Sequence, residues 1–184
     1  MARVIVGMTI SLDGFAADRH GIAEPLYSDL AALQGSLYTN AAIEMTGAVL
    51  MGKRTFEMGD PDSYLGNYEF QVPIFVLTHH PPRVPPKQND LLTFTFVNDD
   101  VRSAVAQAKA AAEPKAVQVV GGVSVIRQLL QAALVDELHV DIMPVLLGAG
   151  LRLFENTGLE GIRLKKVGVQ EVGPRTSLRF LIKN

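Results

Sequence analysis

The chain contains no cysteine. That excludes thiol catalysis, zinc ribbons and a disulfide framework, and it fits a reducing, cytoplasmic setting. A surplus of charge is lacking too: with a formal net charge of -2 there is no broad basic surface on which nucleic acid would be held by counterion release. Long hydrophobic runs are missing as well. The apolar opening from Val4 to Met8 breaks at Asp13, short of a signal core or a bilayer span, so no membrane partner is expected. Internal repeats and low-complexity tracts are absent, and the prolines at 81, 82, 85 and 86 stiffen what reads as an exposed loop. What is present is 184 residues, 48% of them hydrophobic, enough to bury one core without staples and to make residues 1–184 a single domain.

Short β-branched runs alternate with alanine-rich or amphipathic stretches, which predicts an α/β fold whose central sheet is mixed but mostly parallel and flanked by helices. Strands are expected at Val4 to Met8, Ala48 to Met51, Ile74 to Leu77, Val117 to Val120 and Glu137 to Met143. Leu164 to Val172 and Ser177 to Ile182 read as a terminal hairpin around Gly173 and Pro174. Helices are expected within Tyr27 to Met45, from Thr55 to Met58, behind the acidic pair Asp99-Asp100, and from Val123 through Ala133.

Four strand ends carry candidate chemistry. In Val119-Val120-Gly121-Gly122-Val123-Ser124-Val125-Ile126 a strand turns through two glycines into a helix. Glycines let a phosphate approach the backbone and helix-start amides point at it, with Ser124 a cap when no ligand is bound. The alternative is a tight turn that binds nothing. Val49 to Glu57 repeats the arrangement with Gly52, Lys53, Arg54 and Thr55, where the cations meet phosphate or are solvated and Thr55 is a candidate cap. Leu77, Thr78 and His79 close a third strand, at the end where ligands of open sheets bind. Adjacent histidines on extended chain face opposite ways, so His79-His80 predicts no metal site. After the first strand, Thr9 to Ala17 contains small residues and the turn pair Asp13-Gly14, against which a flat ring can lie.

Taken in order, Ser11-Leu12-Asp13-Gly14, Met51-Gly52-Lys53-Arg54-Thr55-Phe56-Glu57, Val120-Gly121-Gly122 and Pro144-Val145-Leu146-Leu147-Gly148-Ala149-Gly150 resemble the dihydrofolate reductase superfamily. The likeness is closer still to stand-alone proteins similar to the reductase domain of bifunctional riboflavin-biosynthesis enzymes, the RibD C-terminal domain. The resemblance implies NADPH as cofactor. It puts the nicotinamide carboxamide on the backbone near Thr9 and Ala16, the pyrophosphate along Gly52, Lys53, Arg54 and Thr55 and in a cradle of Gly121, Gly122, Val123, Ser124 and Val125, and the adenosine 2'-phosphate beside Leu77, Thr78 and His79. Asp29 looks similar to the acid that assists substrate protonation in dihydrofolate reductases. Asp60 to Tyr64 lacks the arginine that riboflavin enzymes carry for a ribose phosphate, and their zinc deaminase domain needs a cysteine pair that is absent here.

The reading is therefore an NADPH-dependent oxidoreductase that passes hydride to a small pterin- or pyrimidine-like heterocycle, including the 5-amino-6-(5-phosphoribosylamino)uracil type of riboflavin biosynthesis. Asp29 is the candidate acid, and Asp13, Met58, Tyr64, Tyr68 and Phe70 are candidate substrate contacts. A non-catalytic nucleotide- or flavin-binding protein on the same fold is the alternative. The apolar stretch from Ile142 to Leu153 predicts a homodimer.

Overall fold

The computed structural model describes residues 1–155 and 158–183. Ten strands form: β1 (Val4–Ser11), β2 (Phe15–Asp18), β3 (Thr46–Gly52), β4 (Ile74–Leu77), β5 (Phe94–Val97), β6 (Ala116–Val119), β7 (Glu137–Met143), β8 (Gly150–Arg152), β9 (Arg163–Val172) and β10 (Arg175–Lys183). The helices are α1 (Leu30–Leu33), α2 (Leu37–Met45), α3 (Lys53–Phe56), α4 (Tyr64–Asn67), α5 (Val101–Ala112) and α6 (Val123–Gln131), with 3-10 turns at Glu24–Tyr27 and Pro61–Ser63. Eight strands make one sheet in the order β5-β4-β3-β6-β1-β7-β10-β9, while β2 and β8 pair separately. β5, β4, β3, β6, β1 and β7 run parallel, and β10 and β9 run antiparallel at one edge. The sheet is thus mixed and mostly parallel, as expected.

Alternation along the strands sends side chains to two cores. Val4, Val6, Ala48, Leu50, Val117, Val119, Leu138 and Val140 pack against α5 and α6. Val49, Met51, Ile74 and Val76, one residue out of phase on β3 and β4, pack on the other face with Phe56 and Phe70, and α2 leans on the same cluster through Ala42 and Ile43. Each fully buried aliphatic side chain contributes about 1.5–3 kcal/mol. α5 begins where the acidic pair foretells: Asp100 accepts a hydrogen bond from the Ser103 amide at 2.9 Å.

Several elements differ from the sequence reading. The segment expected as one helix within Tyr27 to Met45 is split into α1 and α2, because Gly35 takes φ +71° between them, a left-handed conformation no helix continues through. α3 begins two residues before the expected Thr55. β2, β5 and β8 were not anticipated. Among the described residues no helix is long and apolar enough to cross a membrane.

Candidate active site

Because six strands run parallel, their carboxyl ends share one side of the sheet, and a cleft of about 1890 Å³ opens along the ends of β1, β3, β4 and β6. That exceeds the roughly 300–1,000 Å³ that holds one drug-sized ligand. Gly52 and Gly121 join the two glycine turns, the Gly52 amide donating to the Gly121 carbonyl at 2.9 Å. A Cβ on Gly52 would stand 2.9 Å from Val125 Cγ2, so a larger residue there would have to push the Val125 side chain aside. Gly121 takes φ +125°, and the Gly121–Gly122 peptide bond is cis. Gly122 is the N-cap of α6 and supplies no side-chain partner, so the first-turn amides of Val123, Ser124 and Val125 open on the cleft uncapped.

Two capping expectations are corrected here. Ser124 does not fold back over those amides; its hydroxyl accepts from Gln128 Nε2 at 3.2 Å, one turn along the helix. Thr55 is no cap either, because α3 is capped by Gly52 and Thr55 lies inside it, its Oγ1 only 3.0 Å from where a Cβ on Gly121 would sit. The left-handed backbone of this turn belongs to Gly121, since Gly122 has an ordinary φ of −75°.

Of the residues singled out in the sequence, Thr9, Ala16, Gly52, Lys53, Arg54, Thr55, Leu77, Thr78, His79, Gly122, Val123, Ser124 and Val125 all line this one cleft, as do Met58, Tyr64, Tyr68 and Phe70. Gly121 is not among the lining residues. Lys53 is partly neutralised by Glu57 at 3.5 Å, whereas Arg54 forms no ion pair among the described residues. Thr78 is buried and receives the His80 amide on its hydroxyl at 3.0 Å. His79 lines the cleft and His80 does not. Among the described residues no cluster of His, Asp or Glu is arranged to hold a metal ion.

Asp29 and Asp13 are placed elsewhere. Asp29 lies outside the cleft lining, with Arg175 Nε donating to its Oδ2 at 2.8 Å and Nη2 to its Oδ1 at 2.5 Å. These bonds hold its pKa below the usual carboxylate value against the opposing effect of burial. A carboxylate kept ionised by a buried guanidinium is a poor proton donor, so the expected acid role is not supported. Asp13 accepts from Ser11 Oγ at 2.6 Å, the Gly148 amide at 2.7 Å and the Leu147 amide at 3.1 Å. It fastens a loop and does not contact the cleft.

Other polar groups at the cleft were missed by sequence reasoning. Arg175 Nη1 also donates to Asp141 Oδ2 at 2.8 Å and to Thr9 Oγ1 at 3.3 Å. Burial opposes the Arg175 charge, but its bonds to Asp29 and Asp141 outweigh that and raise its pKa. The Tyr38 hydroxyl donates to Asp141 at 2.8 Å and lies 3.2 Å from Ser177 Oγ; burial, then the Asp141 charge, pushes its pKa up to about 12. Tyr38, Asp141, His139 and Arg179 floor the cleft on the β7–β10 side. The period-2 spacing of His139 and Asp141 on a strand was the available signal, since it puts both on one face.

The profile of the RibD C-terminal domain matches residues 2–178. The chain belongs to the RibD C-terminal domain family. Its fold is shared with a protein of Shewanella sp. PV-4 assigned to riboflavin biosynthesis, at 24% identity, 100% of both chains and a TM-score of 0.78. The riboflavin biosynthesis reductase Rib7 of Saccharomyces cerevisiae is similar at 16% identity over 100% of this chain and 89% of that one, TM-score 0.61. A dihydrofolate reductase from Enterococcus faecalis, solved with NADP(H), is similar at 15% identity over 99% and 97%, TM-score 0.62. This RibD C-terminal domain therefore has the dihydrofolate-reductase-like fold that its sequence resembles.

Proposed function

We propose that this chain is a single-domain, cytoplasmic, homodimeric reductase that binds NADPH and passes hydride to a small nitrogen heterocycle. The observation that carries the reading is the uncapped first turn of α6, opening between two interlocked glycine turns on a cleft larger than one drug-sized ligand needs. Backbone amides at a helix start, aimed into a cleft, form an anion site suited to pyrophosphate. Arg54, Thr78 and His79, at the ends of the neighbouring strands β3 and β4, suit the 2'-phosphate. The backbone of Thr9 and Ala16 orients the nicotinamide, while Met58, Tyr64, Tyr68 and Phe70 wall the substrate and exclude water. When bound, NADPH supplies the hydride. Asp29 serves Arg175 and not the substrate. Membership of the RibD C-terminal domain family and the likeness of fold to two reductases, one of them solved with NADP(H), support the reading.

Fluorescence titration tests it. NADPH should bind at least tenfold tighter than NADH, because one surviving charge-assisted hydrogen bond contributes about 1.5–3 kcal/mol. Gly122→Val should fold, since a Cβ there meets nothing closer than Thr55 Oγ1 at 3.5 Å, yet it should lose NADPH affinity by about a hundredfold as its branches fill the cradle. Equal NADPH affinity in wild type and a folded Gly122→Val would overturn the assignment. NADPH binding without oxidation by any of a panel of pterins, pyrimidines and quinones would instead mark a non-catalytic binder.

A further inference from the structure

The two halves of the cofactor site stand on separate pieces of the fold. The phosphate half lies on the main sheet and on α6, whereas Ala16 belongs to β2, which pairs with β8 in a two-stranded ribbon outside the main sheet. Ala16, Ala17 and Leu151 of this ribbon line the same cleft as Val123, Ser124 and Val125 of α6. Internal contacts make the ribbon one body. A Cβ on Gly150 would stand 2.1 Å from the Ala17 carbonyl oxygen, so the two strands approach as closely as glycine permits. The Arg152 guanidinium lies over the Phe15 ring at 4.3 Å and donates from Nη1 to the Asp13 carbonyl at 3.2 Å, and the Leu153 amide donates to the Gly14 carbonyl at 3.2 Å.

None of these contacts reaches α6, but Arg127 does so from the helix side. Its Nε donates to the Leu153 carbonyl at 3.2 Å and its Nη2 to the Arg152 carbonyl at 2.6 Å. A planar guanidinium carries adjacent donors in a fixed fork, so it grips two successive carbonyls at once and sets their orientation, which a lysine ammonium does not. We propose that Arg127 is a positioning residue: by fastening the β2–β8 ribbon to α6, it fixes the distance between the backbone that holds the nicotinamide and the helix start that holds the pyrophosphate. The inference rests on the reading of the cleft as a dinucleotide site. A ribbon free to shift against α6 would leave each half intact, yet a ligand that spans both would lose the preorganisation that lets the halves bind together.

Two probes separate the halves: NADPH, which spans both, and 2',5'-ADP, which carries the adenosine phosphates without the nicotinamide. Arg127→Met keeps the length and helix propensity of the side chain and removes the fork. NADPH affinity should fall at least tenfold in this variant while 2',5'-ADP affinity stays within twofold, and Arg127→Lys, which still donates to one carbonyl, should recover part of the NADPH loss. In the ligand-free proteins, exchange of the Leu153 amide should quicken in Arg127→Met, with the amides of β3 and β7 unchanged as the measure of an intact fold. Equal losses for the two ligands would make Arg127 a direct phosphate contact and overturn the proposal, as would unchanged NADPH affinity or unchanged Leu153 exchange. A wild-type protein that binds neither ligand would sink the reductase reading instead, and the exchange measurement, which needs no ligand, still decides whether Arg127 holds the ribbon.

Discussion

Asp29 and Arg175 lie 146 positions apart and meet in the interior, with side chains only 6% and 3% exposed. Removing one partner of such a pair strands the other's charge, although Asp141 still neutralises part of it here. Asp29→Asn should therefore cost about 3 kcal/mol of stability in denaturant titrations at neutral pH and leave NADPH affinity unchanged. The sign of the pH dependence follows from the lowered folded pKa: the stabilisation is complete above the unfolded value near 4 and disappears as pH falls through the folded one. Wild type and variant should converge in strong acid. A variant of normal stability that has lost hydride transfer would restore the catalytic role. The aspartate was visible in the sequence, but its partner was not, because nothing in Gly173-Pro174-Arg175 says which buried acid the hairpin's first residue will reach.

At the level of elements, Asp13 ties the turn after β1 to residues 144–149, assisted by the Leu12 amide donating to the Val145 carbonyl at 2.9 Å. Its bond from Ser11, ahead of those from Gly148 and Leu147, brings its pKa down to about 2. The Gly148 amide resonance should titrate with that low pKa. The contribution of this contact should be intact above about pH 4 and fade between there and about pH 2, and Asp13→Asn should show faster Gly148 amide exchange above about pH 4. A Gly148 resonance that titrates near 4 would contradict the contact. β4 and β7 were legible to the residue because their β-branched and apolar runs are bounded by clear breakers, and the hairpin because Gly173-Pro174 divides two alternating runs. β2 and β8 were illegible: each is short and has the other as its strand partner, about 135 positions away, and Gly150 inside β8 reads as a turn. The site was legible at its glycine turns, where local backbone geometry and function coincide, and illegible at Tyr38 and Asp141, which only the tertiary fold brings to the cleft.

For the whole molecule, the sheet order leaves β5 and β9 as edges, and only β9 is long and open. The expectation that Ile142 to Leu153 forms the dimer face meets a different distribution of surface: Met143 and Leu153 are buried, and Asp13 pins the loop between them. Leu146 and Leu151 of that segment are 71% and 41% exposed, and exposed apolar side chains also gather on β9, where Leu164, Val167 and Val169 are 43%, 50% and 57% exposed. Lysines at 165 and 166 blunt this edge against indiscriminate pairing. Antiparallel pairing with a second copy centred on Val167 would nevertheless set Arg163 of each strand opposite Glu171 of the other. The homodimer should therefore form through β9. Light scattering at micromolar concentration should give a dimer for wild type and for Leu146→Lys, and a monomer for the double variant Val167→Lys, Val169→Lys. A wild-type monomer would refute dimerisation, and a dimer that dissociates on Leu146→Lys while surviving the double change would move the interface back to the 142–153 segment.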